Sequence, residues 1–177
     1  MRWERLFADL EGQLDESGRA DLDAEVADRT RAERSAIRLV DRLRAASGST
    51  VTVVLDGRSV VGRVADVGAD WVLLEETARV ALVPLRAVNT LRGLGARARH
   101  PGSEGPVAGR RELTAVLRSL ARDRADAVLS LTGGSEVSGV IERVGADHLD
   151  LAERGGGGDG HRLTVPLSAL VVVRTSI

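Results

Sequence analysis

Five polar residues near the middle of the chain are its best candidates for a binding site. Arg86, Asn89, Arg92, Arg97 and Arg99 follow one another closely, and four of them carry a guanidinium group. Arginine side chains supply many of the phosphate contacts that position proteins on nucleic acids. Arg92, Arg97 and Arg99 form a local basic cluster, which is the part of this set that could contact phosphate by its composition. The stretch that holds the last two is rich in glycine and is either a solvated connector or a flexible arm that contacts phosphate.

The patterns typical of catalysis and metal binding are missing from the sequence. The stretch from Gly155 to Gly160 formally satisfies the dinucleotide-binding pattern, but a strand is predicted after it, where that motif requires a helix. The three histidines, His100, His148 and His161, are scattered, without carboxylates or cysteines at the spacing of metal ligands. No segment supplies a nucleophile, a base and an orienting group together. We therefore expect a non-catalytic protein with no metal and no other cofactor.

Composition limits both the core and the partners. The 177 residues have a net charge of −1, which gives no overall field to hold a polyanion. Apolar residues make up 43% of the chain and aromatic residues only 2%, so Val, Leu, Ala and Ile must fill the core. There is no cysteine, and no apolar run approaches the ~18–20 residues that span a membrane. These features predict a cytoplasmic protein that does not bind membranes.

An internal repeat organises the chain. Residues 51–91 and 128–173 are two copies, in which Val67-Gly68-Ala69-Asp70 recurs as Val144-Gly145-Ala146-Asp147 at an offset of 77 positions. Each copy predicts five short strands, because β-branched runs alternate with glycine-containing turns. The predicted strands of the first copy cover residues 50–55, 59–67, 70–75, 79–84 and 88–91. Those of the second copy cover residues 127–131, 136–144, 147–153, 161–166 and 170–174.

Helices are predicted before each copy. The apolar spacing predicts an N-terminal helical hairpin, from Arg2 to Leu14 and from Arg19 to Ala46, and a further helix over residues 107–122. Trp3 and Phe7 lie on the apolar stripe of the first helix, which either covers the chain's own barrel or docks a protein partner. The predicted domains are N-terminal helices at 1–46, a first barrel at 47–92, a linker at 93–106, and a helix with a second barrel at 107–177.

A helix followed by five short, strongly bent strands resembles the Sm-like fold. Asp56-Gly57, Val60 and Gly62 match the first motif of that family, and Leu-Arg-Ala-Val-Asn-Thr-Leu at residues 85–91 resembles the second motif of bacterial Hfq. A ribosome-maturation-type PRC barrel is the competing assignment, and the opening MRWERLFADLEGQLD is similar to an uncharacterised actinobacterial family. The resemblance implies an α+β protein with two tandem five-stranded Sm/SH3-like β-barrels, each preceded by a helix, and an N-terminal helical hairpin.

The resemblance also implies a function and a mode of assembly. Arg86 stands where Hfq has the histidine of its motif, whereas Leu85 replaces the motif lysine. Sm-like barrels join through their fourth and fifth strands, which implies a homo-oligomer. The resemblance therefore implies a non-catalytic regulatory protein that binds RNA through its Sm-like barrels. The residues that it implies for this role are Arg86, Asn89, Arg92, Arg97 and Arg99. The alternative is a structural adaptor that assembles through barrel edge strands and binds a protein partner through its N-terminal helices.

Overall fold

The computed structural model describes residues 29, 31, 35–98, 111–154 and 162–176. The chain divides into two units, Met1–Arg38 and Leu39–Ile177, and all the strands belong to the second unit. Trp3, Phe7 and Arg99 lie outside the described residues. Within the described part of the chain, no helix has the length and apolar character needed to cross a membrane.

The described residues of the second unit form ten strands and two α-helices. Strands β1 to β5 are Thr50–Leu55, Arg58–Val67, Trp71–Glu75, Arg79–Pro84 and Val88–Arg92. Strands β6 to β10 are Asp126–Leu131, Glu136–Val144, His148–Glu153, Arg162–Pro166 and Leu170–Ser176. The helices are α1, Leu39–Ala45, and α2, Leu113–Arg122. We call α1 with β1 to β5 the first half, and α2 with β6 to β10 the second half.

The two halves have the same strand order within one antiparallel sheet. That order is β5-β1-β2-β3-β4-β10-β6-β7-β8-β9, so each half runs from its fifth strand through its first to its fourth. The second strand of each half bends at a shift in register, after Val64 in β2 and after Ile141 in β7. Gly57 and Gly134, at the turns that precede these strands, have φ angles of 70° and 87°, which favour glycine.

The prediction of two separate five-stranded barrels is wrong, because β4 pairs with β10 and joins the halves into one ten-stranded sheet. The paired residues run from Leu82 opposite Val173 to Arg79 opposite Ser176. The join is stable because β4 is apolar on both faces. Its Ala81 and Val83 enter the apolar core of the first half, whereas Leu82 enters the core of the second half.

The prediction of an N-terminal helical hairpin as part of the fold is wrong. The continuous helix predicted from Arg19 to Ala46 is interrupted at residues 36–38, which are not helical, and α1 covers only the seven residues Leu39–Ala45 near its predicted end. The helices that accompany the sheet are α1 and α2. α1 packs Val40 and Leu43 into the first core, and α2 packs Leu113 and Leu117 into the second core. Residues 1–28, which include the predicted first helix, lie outside the described residues.

β3 and β4 lie between the two cores, and we call this pair the inner ladder. Val72 and Leu74 of β3 face the first core, whereas Trp71 and Leu73 face the second core. Successive side chains of a strand point to opposite faces, so both faces of the inner ladder are buried. The equivalent pair in the second half, β8 and β9, buries only one face, and we call it the outer ladder.

Candidate binding surfaces at the sheet edges

β5 and β9 are the two edge strands of the sheet, because each pairs with a single neighbour. Among the described strands, β5 pairs only with β1, and β9 pairs only with β8. An edge strand presents unpaired backbone N–H and C=O groups, which can accept another strand. Binding through the sheet would therefore use one of these two edges.

A cavity of about 330 Å³ lies between the β5 edge and α1. Its walls are a mixture of apolar and polar side chains from both elements and from the segment that follows β5. They are Leu39, Arg42, Val88, Asn89, Thr90, Leu91, Gly93 and Leu94. Arg42 donates a hydrogen bond of 3.0 Å to the carbonyl oxygen of Gly95, which holds that segment beside α1. Leu39 is 40% exposed, so apolar surface of α1 is available to a ligand in this cavity.

Three of the residues predicted to bind nucleic acid lie on or just after β5. Asn89, Arg92 and Arg97 are all exposed, and Asn89 lines the cavity. Neither Arg92 nor Arg97 forms an ion pair with any residue that the structure describes. Two available guanidinium groups therefore lie on β5 or shortly after it. Arg99 lies outside the described residues.

Arg86 is in a different environment, at the junction between the halves. It lies in the 3₁₀ turn Leu85–Ala87, and its guanidinium donates a hydrogen bond to the carbonyl oxygen of Leu167 in the equivalent turn of the second half. Burial lowers the pKa of Arg86 from its ordinary value, and the negative charge of Asp70 partly offsets this effect. Arg86 therefore stabilises the contact between the halves, and the structure does not place it in the β5 cavity.

The turn before β3, where Sm-like proteins bind a base, is covered by the chain itself. The Asp70 carboxylate accepts a hydrogen bond of 2.8 Å from the backbone N–H of Leu113, at the start of α2. The indole N–H of Trp71 donates a hydrogen bond of 2.9 Å to the carbonyl oxygen of Arg111. The Arg111 guanidinium also lies 5.7 Å from the centroid of the Trp71 ring. Asp70 thus acts as a helix-capping group, which gives this turn a structural role.

The corresponding turn in the second half is open, as far as the described residues extend. The side chain of Asp147 is 91% exposed, and its carboxylate lies 2.8 Å from Nδ1 of His148. This hydrogen bond lowers the pKa of Asp147. The turn is held to its own half by Arg118, which donates a hydrogen bond of 3.4 Å to the carbonyl oxygen of Gly145. Asp70 and Asp147 occupy equivalent positions in the repeat, but the structure gives them different environments.

Polar contacts fix the two halves to each other beside the β4–β10 pairing. The Asp56 carboxylate accepts a hydrogen bond of 2.9 Å from the backbone N–H of Gly133. Arg58 forms an ion pair with Glu136, and the Ser130 hydroxyl donates a hydrogen bond of 2.9 Å to the same carboxylate. The hydrogen bond from Ser130, and then the contact with Arg58, lower the pKa of Glu136. These contacts therefore hold the two halves in a fixed arrangement within the sheet.

A larger cavity, of about 420 Å³, lies at the junction and is lined by three arginines, Arg79, Arg154 and Arg174. Their charges are largely neutralised by neighbouring carboxylates. Glu76 lies 3.8 Å from Arg79 and 3.1 Å from Arg174, and Arg154 forms an ion pair with Asp126. This cavity is therefore a weaker anion site than its arginines suggest. In the ranges that the structure describes, no group of three or more His, Cys, Asp or Glu residues could hold a metal ion.

Comparisons with known proteins do not favour any of these surfaces. No protein-family model matches the sequence, and no curated protein matches it at a significant level. The resemblance to Sm-like proteins therefore rests on the short motifs alone. The features that distinguish one surface from another are the open edges, the cavity beside β5 and the chemistry of the side chains around them.

Proposed function

We propose that this chain is a non-catalytic adaptor that binds a protein partner at an open edge of its sheet. The observation that carries the proposal is the β5 edge, where unpaired backbone groups border a cavity of about 330 Å³ with an exposed leucine in its wall. Proteins commonly bind extended segments by adding them to such an edge, with backbone hydrogen bonds giving affinity and side-chain pockets giving specificity. As part of the proposal we place the protein in the cytoplasm.

The outer ladder favours a different protein as partner over further copies of this chain. Residues of the inner ladder that bury their side chains in the second core have polar counterparts on the outer ladder. Trp71, Leu73 and Leu82 correspond to His148, Asp150 and Thr164. Burying those polar groups against another copy would remove their hydration without replacing it, which costs about 1–3 kcal/mol for each unpaired group. The polar face therefore opposes chain-to-chain growth through β9.

RNA binding is the second candidate, and the exposed Arg92 and Arg97 favour it. Arg92 lies between Leu91 and Gly93, which line the cavity, and Arg97 follows a few residues later in the chain; neither is neutralised by a described carboxylate. Two features weaken this reading of the Sm-like motifs. Arg86 is engaged by the Leu167 carbonyl, and Asp70 caps α2. The polar edge of β5 is then the remaining RNA surface.

The two candidates are separated by light scattering of the purified chain with and without cellular RNA, combined with site-specific photocrosslinking in cells. A photoreactive residue at Asn89 should give discrete protein adducts, whereas the same residue at the exposed Val61 of β2 should give none. The chain should elute without nuclease-sensitive absorbance. An Asn89 adduct that nuclease removes, or RNA binding tighter than about 10 µM at low salt, would refute the adaptor and support RNA binding.

A further inference from the structure

The internal repeat shows what occupies the place of the β5 cavity in the other half. Residues of β1 to β3 and of α1 have counterparts 77 positions later, whereas residues from β4 onward have counterparts 82 positions later, as Pro84 and Pro166 show. By these offsets, Leu39 and Leu91 of the cavity correspond to Val116 of α2 and Val173 of β10. The cavity beside α1 and β5 is therefore equivalent to the surface beside α2 and β10.

In the second half, the inner ladder fills that equivalent surface. β4 lies antiparallel to β10, with Leu82 opposite Val173. Trp71 and Leu82 are 1% and 2% exposed and join α2 residues such as Leu117 in the second core. An apolar two-stranded ladder thus fits between the fifth strand and the preceding helix of a half. In the first half, β5 has no such neighbour among the described strands.

We propose that the cavity beside β5 and α1 binds an extended, apolar segment of a partner protein, which adds to β5 as β4 adds to β10. The inference rests on the adaptor function and names the chemistry of its partner. The added strand is antiparallel to β5 and places an apolar side chain opposite Leu91, as Leu82 lies opposite Val173. That side chain contacts the exposed Leu39 of α1.

The charges around the cavity define the flanks of the partner segment. Arg42 lines the cavity, and the exposed Arg92 is the β5 residue next to Leu91. Arg92 corresponds to Arg174, which lies opposite Ala81 of β4. The partner residue that takes the place of Ala81 would therefore lie opposite Arg92. Opposite charges on facing residues of neighbouring strands are favourable. The segment that fits this edge is therefore apolar at one position and acidic at the next.

A second copy of this chain fits the edge poorly. Its β9 would place Thr164 opposite Leu91 and would bring Arg162 close to Arg92, with like charges near each other. Its outer ladder would also turn Asp150 towards the cavity, although the Asp150 carboxylate is already hydrogen-bonded to the Thr164 hydroxyl at 2.8 Å. The partner is therefore a different protein, and pairing between copies is an outcome that the experiment must detect.

The test uses the full chain and a cyclised, fluorescent peptide of its own inner ladder, residues 70–85, because this hairpin fills the equivalent surface in the second half. Cyclisation is needed because an isolated two-stranded hairpin is marginally stable in water. Fluorescence anisotropy should show saturable binding to the wild-type chain. The matched peptide with Trp71→His, Leu73→Asp and Leu82→Thr, which imitates the outer ladder, should not bind. An Ala81→Glu peptide should bind more tightly, by about twofold or more.

Variants of the protein localise the binding. Leu39→Arg should weaken peptide binding by about tenfold, because it removes apolar contact and adds like charge beside Arg42. Val61→Arg is the matched control, since Val61 is also exposed, at 54%, but lies outside the cavity. Equal effects of the two variants, equal binding of the two peptides, or dimers of the chain alone would overturn the inference. If the peptide fails while Asn89 still crosslinks a protein partner, the adaptor stands and only the strand-addition geometry is wrong.

Discussion

The inner ladder and the outer ladder have the same backbone pairing, but the face that is apolar in the inner ladder is polar in the outer ladder. In the inner ladder Trp71 pairs with Pro84 and Leu73 with Leu82, whereas in the outer ladder the corresponding rungs join His148 to Pro166 and Asp150 to Thr164. The outward face of the inner ladder is buried against the second core. That of the outer ladder is open, with 42% of the His148 side chain exposed.

We infer from this difference that side chains, rather than backbone pairing, determine where the sheet continues. Without the other half, β4 would present a free backbone edge, as β9 does. Only the inner ladder has an apolar face beside that edge. Burying a large apolar side chain contributes about 1.5–3 kcal/mol, whereas burying a polar group without a partner costs a comparable amount. We therefore expect that a few substitutions on one face can turn a ladder that joins another strand into one that ends the sheet.

Removing the large side chain at the first rung should separate the two ladders most clearly. Trp71→Ala should lower the free energy of unfolding by about 3–5 kcal/mol, because Trp71 is 1% exposed and lies in the second core. His148→Ala, at the counterpart position, should change it by less than about 0.5 kcal/mol. Urea unfolding followed by circular dichroism measures both values. Similar losses in the two variants would mean that the ladders do not differ in burial.

Replacing the polar side chains of the outer ladder with the apolar ones of the inner ladder should make it pair with another chain. The triple variant His148→Trp, Asp150→Leu and Thr164→Leu places an exposed apolar patch beside the open edge of β9. Such an edge is a site of association. The mass measured by light scattering should rise with protein concentration in the variant and remain constant in the wild type. If the triple variant stays at the wild-type mass, the polar face is not what ends the sheet.

The two turns before the third strands should differ by about 1 kcal/mol. Asp70→Ala removes the carboxylate that accepts the backbone N–H of Leu113, and the loss of a helix cap costs about 0.5–2 kcal/mol. Asp147→Ala, at the counterpart turn, removes an exposed carboxylate and should have almost no effect on the urea midpoint. The Asp70→Asn variant should recover much of the loss, since asparagine is also a good capping residue. Failure of asparagine to rescue would indicate a role for the charge of Asp70.

Much of the strand pattern could be predicted from the sequence. The predicted bounds of the strands at 50–55, 79–84 and 136–144 agree with β1, β4 and β7. These predictions succeeded because local glycine turns and β-branched runs determine where a strand begins and ends. The pairing of β4 with β10 joins residues that are far apart in the sequence, and local turn signals do not indicate it. One signal was nevertheless present. β3 reads WVLLE, which is nearly continuous in apolar residues, whereas β8 reads HLDLAE, which alternates.

That contrast distinguishes strands buried on both faces from strands buried on one face. The candidate site was less predictable. Asn89, Arg92 and Arg97 are exposed on the β5 edge or just after it, but Arg86 contacts a carbonyl group of residue 167, and nothing near it in sequence indicates this. The cavity beside β5 was missed as well. Its walls come from α1 and from a strand whose neighbour in the sheet depends on the same long-range pairing.

Acid should weaken the junction between the halves slightly, through Glu136. The hydrogen bond from Ser130 and the contact with Arg58 place its folded-state pKa below the ordinary value of 4.5. The resulting stability is fully present above 4.5 and is lost as the pH falls through the folded-state pKa, because the unfolded chain takes up the proton first. Since 47% of the side chain is exposed, we expect a loss of only about 0.3–1 kcal/mol. Urea midpoints between about pH 6 and pH 3 should show this loss in the wild type and a smaller one in Glu136→Gln. Equal pH dependence in the two proteins would show that the contact with Arg58 and Ser130 does not stabilise the junction.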